Sequence, residues 1–266
     1  MTDWIVPESD RIPSGIALDR GRDVDLVVMH WTASPYASPA GERTRLEGWA
    51  KRRTSSTHFV IGRDGTLYQM TPLSVGAEHT SDRKAAWRGE NAGAVDRRSI
   101  GIDLMNVGPL ERDVAGRFIN VYDGVHVGPH TEYQGRWFET YTPEQLAALW
   151  RLVGELVQLY PALADGDRWV GHEHVQPGKP DPGPLFPWDK LREVLAGAGE
   201  DEPRGHDALQ FFRWEHLPPH LAEVSRPFAE VARMVVRETG AGSQQDLALN
   251  CLLQAKDAAV RARLQV

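Results

Sequence analysis

The sequence contains one cysteine, Cys251, among its 266 residues. A single cysteine excludes both a disulfide framework and a cysteine-rich zinc site, and it fits a reducing compartment. No run approaches the roughly 18–20 apolar residues of a membrane span. The N-terminal residues "MTDWIVPESDRIPSG" lack the basic start and apolar core of a signal peptide. We therefore expect cytoplasmic synthesis and no membrane association.

An excess of positive charge is also missing, because the formal net charge is −7 at pH 7. This argues against a protein that binds DNA or RNA polymers. No G-x-S-x-G motif occurs, which disfavours a serine hydrolase. The charge is uneven: residues 207–266 carry seven basic and seven acidic side chains, so the whole excess lies in 1–206. The asymmetry is a first indication of two parts.

Strand and helix patterns are mixed along the first ~195 residues, which predicts an α/β domain over 1–195 with a mixed central β-sheet flanked by helices. The predicted strands are 24–31, 97–107, a hairpin over 57–71, a second hairpin with its turn at Asp123-Gly124, and a last strand near 168–174. The predicted helices lie over 43–53, from Thr142 to Tyr160, and over 186–197.

The segment 196–207 is small, acidic and interrupted by proline, which predicts a linker. Two helical stretches follow, roughly 219–238 and 246–263, joined by "TGAGSQ". Residues 208–266 are therefore predicted to form a small α-helical hairpin domain.

The stretch "VGHEHVQPGKPDPGPLFPW", residues 170–188, combines two histidines, a lysine and an aspartate with five prolines and three glycines. Such a segment cannot continue as a helix or a central strand. A stiff loop pre-orders side chains whose immobilisation otherwise costs about 1–2 kcal/mol per residue. His172 and Asp181 in this stretch, together with His30 at the end of the first strand, are candidate ligands of a catalytic zinc ion.

Four motifs together resemble the zinc-dependent N-acetylmuramoyl-L-alanine amidase family, whose fold is shared with T7-type phage lysozyme and peptidoglycan recognition proteins. They are "MHWTAS", "SSTHFVIGRDGTLYQM", "RRSIGIDLMN" and the proline-rich stretch, and the resemblance covers roughly residues 25–195. The resemblance implies that His30, His172 and Asp181 bind Zn²⁺ and that Lys179 stabilises the transition state.

The implied reaction is hydrolysis of the amide bond between N-acetylmuramic acid and L-alanine in peptidoglycan. Zinc lowers the pKa of a bound water towards ~7 and polarises the carbonyl, while a carboxylate transfers the proton to the leaving amine. Many relatives use a glutamate in the motif "IGIEL" as this carboxylate. The present sequence has Asp103, one methylene shorter, and Asp103 is our candidate base.

The remaining substrate contacts are less fixed by the family pattern. His79 in "AEHTS" and Trp137 are candidate substrate-binding residues. The insertion between Val107 and Tyr141 is rich in aromatic residues and is expected to wall the substrate cleft: Phe118, Tyr122, Tyr133, Trp137 and Phe138. We expect a phage endolysin-like enzyme that reaches the wall through another factor and acts on peptidoglycan or muropeptides. The alternative is a non-catalytic peptidoglycan-binding module.

The C-terminal segment, about 209–264, resembles the helical-hairpin domain of phage anti-CBASS proteins that sequester cyclic oligonucleotides. This resemblance implies cyclic-nucleotide binding, with Trp214 stacking on a base and Arg226 contacting a phosphate. The protein would then be an anti-defence sponge fused to a lysin domain. The competing interpretation is that the hairpin forms a homo-oligomer or targets the enzyme to the wall.

Overall fold

The computed structural model of the chain describes residues 4–21, 23–35, 37–80, 86–120, 124–198, 207–212, 214, 217–239 and 242–264. The chain divides into two compact units, Met1–Glu200 and Asp201–Val266. This division falls within the predicted linker 196–207, of which 199–206 lie outside the described residues. The bounds of the linker stay a prediction.

A five-stranded central sheet forms the middle of the first unit. Its strands are β1 (Leu26–Trp31), β2 (Phe59–Ile61), β3 (Leu67–Gln69), β6 (Ser99–Leu104) and β12 (Trp169–Gly171). They lie in the order β12-β1-β6-β2-β3. Only β3 runs antiparallel to its neighbour, through the predicted hairpin with β2, while the other pairs are parallel. Strands β1 and β6 are buried nearly throughout, as their apolar runs indicate.

Helices cover both faces of this sheet, so the predicted mixed α/β fold is confirmed. The helices are α1 (Pro39–Arg52), α2 (Ala92–Arg98), α3 (Pro143–Leu159), α4 (His172–Val175) and α5 (Trp188–Ala198). Leucines of α3 and α5 pack on one face, with Val27 and Ile102. Leu46 of α1 packs on the other, with Val60. Helix α3 begins at Pro143, directly after the N-cap residue Thr142, whose side chain forms a capping box with Gln145.

The insertion after the central strand β6 forms a second sheet, of which the sequence predicted only one hairpin. Its strands are β7 (Pro109–Arg112), β8 (Phe118–Asn120), β9 (Gly124–Val125), β10 (His130–Tyr133) and β11 (Arg136–Glu139). They pair antiparallel in the order β10-β11-β7-β8-β9. Tyr122 and Asp123 of the predicted hairpin lie outside the described residues. A short ribbon, β4 (Ala86–Trp87) with β5 (Glu90–Asn91), precedes α2.

The second unit is a helical hairpin, as predicted. Its helices are α6 (Pro219–Glu238) and α7 (Ser243–Leu264). Helix α6 has the predicted bounds, whereas α7 begins three residues earlier than predicted. The buried core of this second unit contains Phe212, Ala229, Ala232 and Leu249. Among the described residues, none of the helices combines the length and apolar character needed to cross a membrane.

Candidate active site

The polar side chains of the site project from the carboxyl ends of three neighbouring parallel strands. His30 is the fifth residue of the six in β1 and lies directly opposite Asp103 of β6. On the other side of β1, Met29 pairs with Gly171, the last residue of β12. His172 follows at once and is the first residue of α4 rather than part of the predicted strand. Parallel strands end at a common edge, which brings the three side chains together.

Three buried ligand atoms converge at this edge. Nδ1 of His30 and Nδ1 of His172 lie 3.1 Å apart. Oδ2 of Asp181 lies 3.1 Å from the first nitrogen and 3.0 Å from the second. Ligands 2.0–2.1 Å from a tetrahedral zinc ion lie roughly 3.3 Å apart, so the triangle has the dimensions that zinc needs. Two nitrogens and one carboxylate oxygen are also a donor set typical of catalytic zinc.

The proline-rich loop carries Asp181 back to the start of α4. The backbone N–H of Glu173 donates to the carbonyl oxygen of Asp181 at 3.1 Å, and the hydroxyl of Tyr141 donates to that of Pro182 at 2.7 Å. Gly183 has φ +77°, and a Cβ there would lie 2.4 Å from the ring of Trp31. The middle of the loop, residues 181–183, is thus anchored to α4 and Tyr141 and packed against β1, and at Gly183 this packing requires glycine.

Asp181 and His30 stabilise the charged forms of one another. Burial alone would raise the pKa of Asp181, but hydrogen bonds with His172 and His30 hold it well below its usual range. Burial opposes charge on His30, yet its hydrogen bond with Asp181 and the nearby carboxylate of Asp103 raise the pKa of His30. The carboxylate of Asp181 is therefore ionised and available as a ligand at neutral pH.

Asp103 lies beside the triad on β6 and is itself buried. Burial raises the pKa of this carboxyl, and the nearby His30 partly offsets that effect. A carboxylate with a raised pKa is a better proton acceptor at neutral pH. The role of Asp103 as the catalytic base stays a prediction.

Each of the two candidate ligand histidines has a hydrogen-bond partner on its other ring nitrogen. Nε2 of His172 lies 2.8 Å from Oε1 of Gln176, one turn along. Nε2 of His30 lies 3.0 Å from Nδ1 of His79, and Nε2 of His79 lies 2.8 Å from Oγ of Ser99. Gln176 and Ser99 were missed by sequence reasoning, since neither residue type nor spacing marks them.

His79, which the sequence predicts to bind substrate, is buried beside the candidate ligands. Its side chain is only 1% exposed, and both ring nitrogens are hydrogen-bonded within the protein. Burial and the neighbouring His30 hold the pKa of His79 well below its ordinary value, so the ring is neutral. His79 lies behind His30, in the second layer of the site.

The other two candidate residues lie on the proline-rich loop and on the second sheet. Lys179 is exposed on the proline-rich loop, two residues before Asp181, with its backbone N–H bonded to the carbonyl of Gln176. Trp137 is half-buried on β11 of the second sheet, with Phe118 at 4.8 Å and the guanidinium of Arg112 at 5.1 Å from its ring. The substrate-binding role of Trp137 stays a prediction.

The two candidate nucleotide-binding residues belong to the second unit. Trp214 is half-buried and packs against the core of the hairpin. Arg226 is exposed on α6, 3.4 Å from Glu230 one turn along. An arginine in such a surface pair contributes little to stability. Their predicted roles remain predictions.

Comparisons with known proteins agree with this site. The sequence model of the family described as N-acetylmuramoyl-L-alanine amidase matches residues 20–184. The amidase AmiD of Escherichia coli K12 is 26% identical over 189 residues, which are 68% of this chain and 56% of that protein. The 1,6-anhydro-N-acetylmuramyl-L-alanine amidase AmpD of Salmonella typhimurium SL1344 is 29% identical over 153 residues, 55% of this chain and 60% of AmpD.

The chain thus spans somewhat over half the length of these curated relatives. Among solved structures, the crystal structure of a selenomethionine derivative of AmpD is 23% identical, with a TM-score of 0.48, and the match covers 73% of this chain and 97% of that one. The family match covers more than half of the chain and contains His30, Asp103, His172 and Asp181. The chain belongs to the N-acetylmuramoyl-L-alanine amidase family.

Proposed function

We propose that the chain is a zinc-dependent enzyme that hydrolyses the amide bond between N-acetylmuramic acid and L-alanine in peptidoglycan. The observation that carries the proposal is the convergence of His30, His172 and Asp181, whose ligand atoms all lie within 4.8 Å of one another. The names of AmiD and AmpD refer to this same bond, which supports the substrate class.

The three ligands fit zinc by donor type, spacing and burial. When bound, the ion supplies a Lewis acid and lowers the pKa of a coordinated water towards ~7. The chain's own residues then have separate tasks. Asp103, opposite His30 on the neighbouring strand, accepts the proton of the attacking water and returns it to the amine of L-alanine.

Lys179 is an exposed cation on the loop that carries Asp181. Its position two residues before Asp181, on a loop held by the Tyr141 hydroxyl, limits the region that its ammonium group can reach. The scissile carbonyl oxygen gains negative charge in the transition state, and a fixed cation stabilises that charge. We assign Lys179 this role.

Mass spectrometry of digests tests the proposal. Purified sacculi and soluble muropeptides are incubated with the protein, with the Asp181→Ala variant, and with the protein plus a chelator. We expect stem peptides with a free N-terminal alanine from the wild-type protein alone. Intact amide bonds in a protein that holds stoichiometric zinc would favour the alternative, a recognition module that binds peptidoglycan without cleaving it.

The preferred substrate also tests the biological role. We propose an endolysin-like enzyme, made in the cytoplasm and given access to the wall by another factor, and this role requires cleavage of intact sacculi. Turnover restricted to soluble muropeptides would instead indicate recycling of wall fragments.

For the helical hairpin we propose binding of cyclic oligonucleotides, with oligomerisation as the competing role. The exposed guanidinium of Arg226 and the indole of Trp214 are the groups that such a ligand would need. Calorimetric titration of the full chain with cyclic dinucleotides separates the two. If tens of micromolar cyclic dinucleotide release no heat, and the mass of the protein in solution depends on protein concentration, oligomerisation is the role that remains.

A further inference from the structure

A directed chain of hydrogen bonds leads from a backbone carbonyl to the candidate metal site. It begins at Ser99, whose Oγ lies 2.7 Å from the carbonyl oxygen of Val95. A carbonyl oxygen can only accept, so the one hydroxyl proton of Ser99 lies on this bond. Both residues are fully buried, so no water can take the place of either partner.

Because the Ser99 proton is already committed, Oγ must accept at its contact with His79. The donor is Nε2 of His79 at 2.8 Å. Oδ1 of Asp96 lies 3.6 Å from the same nitrogen, and a carboxylate there independently favours a proton on Nε2. A neutral imidazole has one proton, so Nδ1 of His79 carries a lone pair.

That lone pair fixes the orientation of His30. Nδ1 of His79 accepts from Nε2 of His30 at 3.0 Å, which leaves Nδ1 of His30 as the nitrogen without a proton when the ring is neutral. This is the nitrogen that meets His172 and Asp181. We propose that His79 is a positioning residue: it holds His30 in the tautomer that presents Nδ1 to the cation, and Ser99 fixes the tautomer of His79 in turn.

The packing around His79 prevents the ring from turning away. Gly101 of β6 lies against it, and a Cβ at that position would approach Cγ of His79 to 2.7 Å. Nε2 of His172 lies beside the side-chain amide of Gln176 rather than beside a second histidine.

The inference rests on the proposed zinc site, and zinc affinity tests it without substrate. His79→Leu keeps the approximate volume of the ring but removes the acceptor. His79→Asn is smaller, yet its Oδ1 occupies about the place of Nδ1. We expect His79→Leu to weaken zinc binding about tenfold to hundredfold, as losses of such partners do. We expect His79→Asn to return the affinity to within a few fold of wild type.

A side chain that merely fills space would give the reverse order, since leucine fills the site and asparagine leaves a void. Equal zinc affinity in wild type and His79→Leu would overturn the proposal, and so would an Asn variant as weak as the Leu variant. Affinity is measured by competition with a chromophoric chelator, and circular dichroism verifies that each variant is folded.

Wild-type protein provides a second test that needs no variant. Two-bond proton–nitrogen correlation spectra of the zinc-loaded, ¹⁵N-labelled protein should place a proton on Nε2 of both His30 and His79. A proton on Nδ1 of His79 would contradict the inference. Absence of zinc binding by the wild type would overturn both this inference and the proposed function. Tight zinc binding with the expected tautomers but no hydrolysis would overturn only the function.

Discussion

Two groups of buried polar side chains, one in each unit, differ in the partners that they contact. In the helical hairpin, the buried amide of Gln245 donates to the carbonyl and the hydroxyl of Thr239, each at 3.0 Å, and so ties the start of α7 to the end of α6. In the amidase unit, His30, His172 and Asp181 point their ligand atoms at one another. Polar groups that close on the backbone hold a fold together. Ligand atoms that converge on one point, as in the first unit, form a candidate metal site instead.

The comparison predicts that single substitutions in the candidate active site reduce activity while the protein stays folded. The largest effect is expected for Asp103→Asn, which keeps the shape but cannot accept a proton. We expect kcat to fall about 10²–10⁴-fold, the usual contribution of a general base. Zinc affinity should stay near wild type. Asp189→Asn, at an exposed position on α5, is the control, and an equal loss in both variants would contradict the assignment.

Lys179→Ala comes next. If Lys179 stabilises the charge on the carbonyl oxygen, kcat should fall about 10²–10³-fold, as on removal of one such donor. Steady-state kinetics on a muropeptide measure the effect, with Lys190→Ala of the exposed Lys190–Glu193 pair as the matched control. A change confined to KM would instead indicate that Lys179 only binds substrate.

Gly101→Ala tests the packing behind the site. The new methyl group would meet both His79 and Thr57 at less than 3 Å. We expect a loss of about 1–3 kcal/mol in the free energy of unfolding, together with weaker zinc binding, because the His79 ring must move. Gly197→Ala, which meets nothing within 4 Å, should be neutral. If the Gly101→Ala protein is destabilised but its zinc affinity is unchanged, the packing of the His79 ring does not affect metal binding.

Asp96→Asn tests whether the buried carboxylate near His79 lowers the stability of the protein. Burial raises the pKa of Asp96 from 3.8 to about 6. Between these values the folded state binds the proton that the unfolded state has lost, so the contribution of Asp96 to stability falls as pH rises. The variant should be more stable by about 3 kcal/mol at pH 7, and the difference should vanish as the pH falls below 4. Urea denaturation at both pH values measures this, and a difference independent of pH would refute it.

The smallest effect is expected in the hairpin. Arg226→Ala removes one partner of an exposed pair, so the free energy of unfolding should change by less than about 0.5 kcal/mol. Amidase activity on muropeptides should stay within twofold of wild type. A large loss of activity would show that the hairpin takes part in the reaction, and the contrast between the units would fail.

The sequence was sufficient to predict most of the frame and to single out the three side chains that converge, His30, His172 and Asp181. His30 and His172 were identifiable because each follows a short apolar run, and a proline-rich loop with Asp181 follows the second. Helix α6 and the start of helix α3 near Thr142 were also predicted, since their signals are local. The family resemblance then supplied the roles of the ligands, which residue patterns alone left open.

Other features depend on contacts that no local pattern records. All four residues of β10 are exposed, so this strand has no apolar alternation, and the second sheet was predicted only in part. Helix α2 ends immediately before β6, and its two last residues had been assigned to the strand. The chain from Ser99 through His79 to His30 joins segments 20 and 49 residues apart. Such contacts exist only once the sheet has formed.

The measurement that tests the central claim most directly is a zinc titration of metal-depleted protein during muropeptide hydrolysis. The readout is the free amino group of L-alanine, followed as zinc is added. The account predicts that the amine is not released without metal, that the rate of release rises linearly with added zinc, and that the rise stops at one equivalent. In Asp181→Ala, added zinc should not restore the rate. Full activity in the metal-depleted protein would contradict it, as would stoichiometric zinc binding without release of the amine.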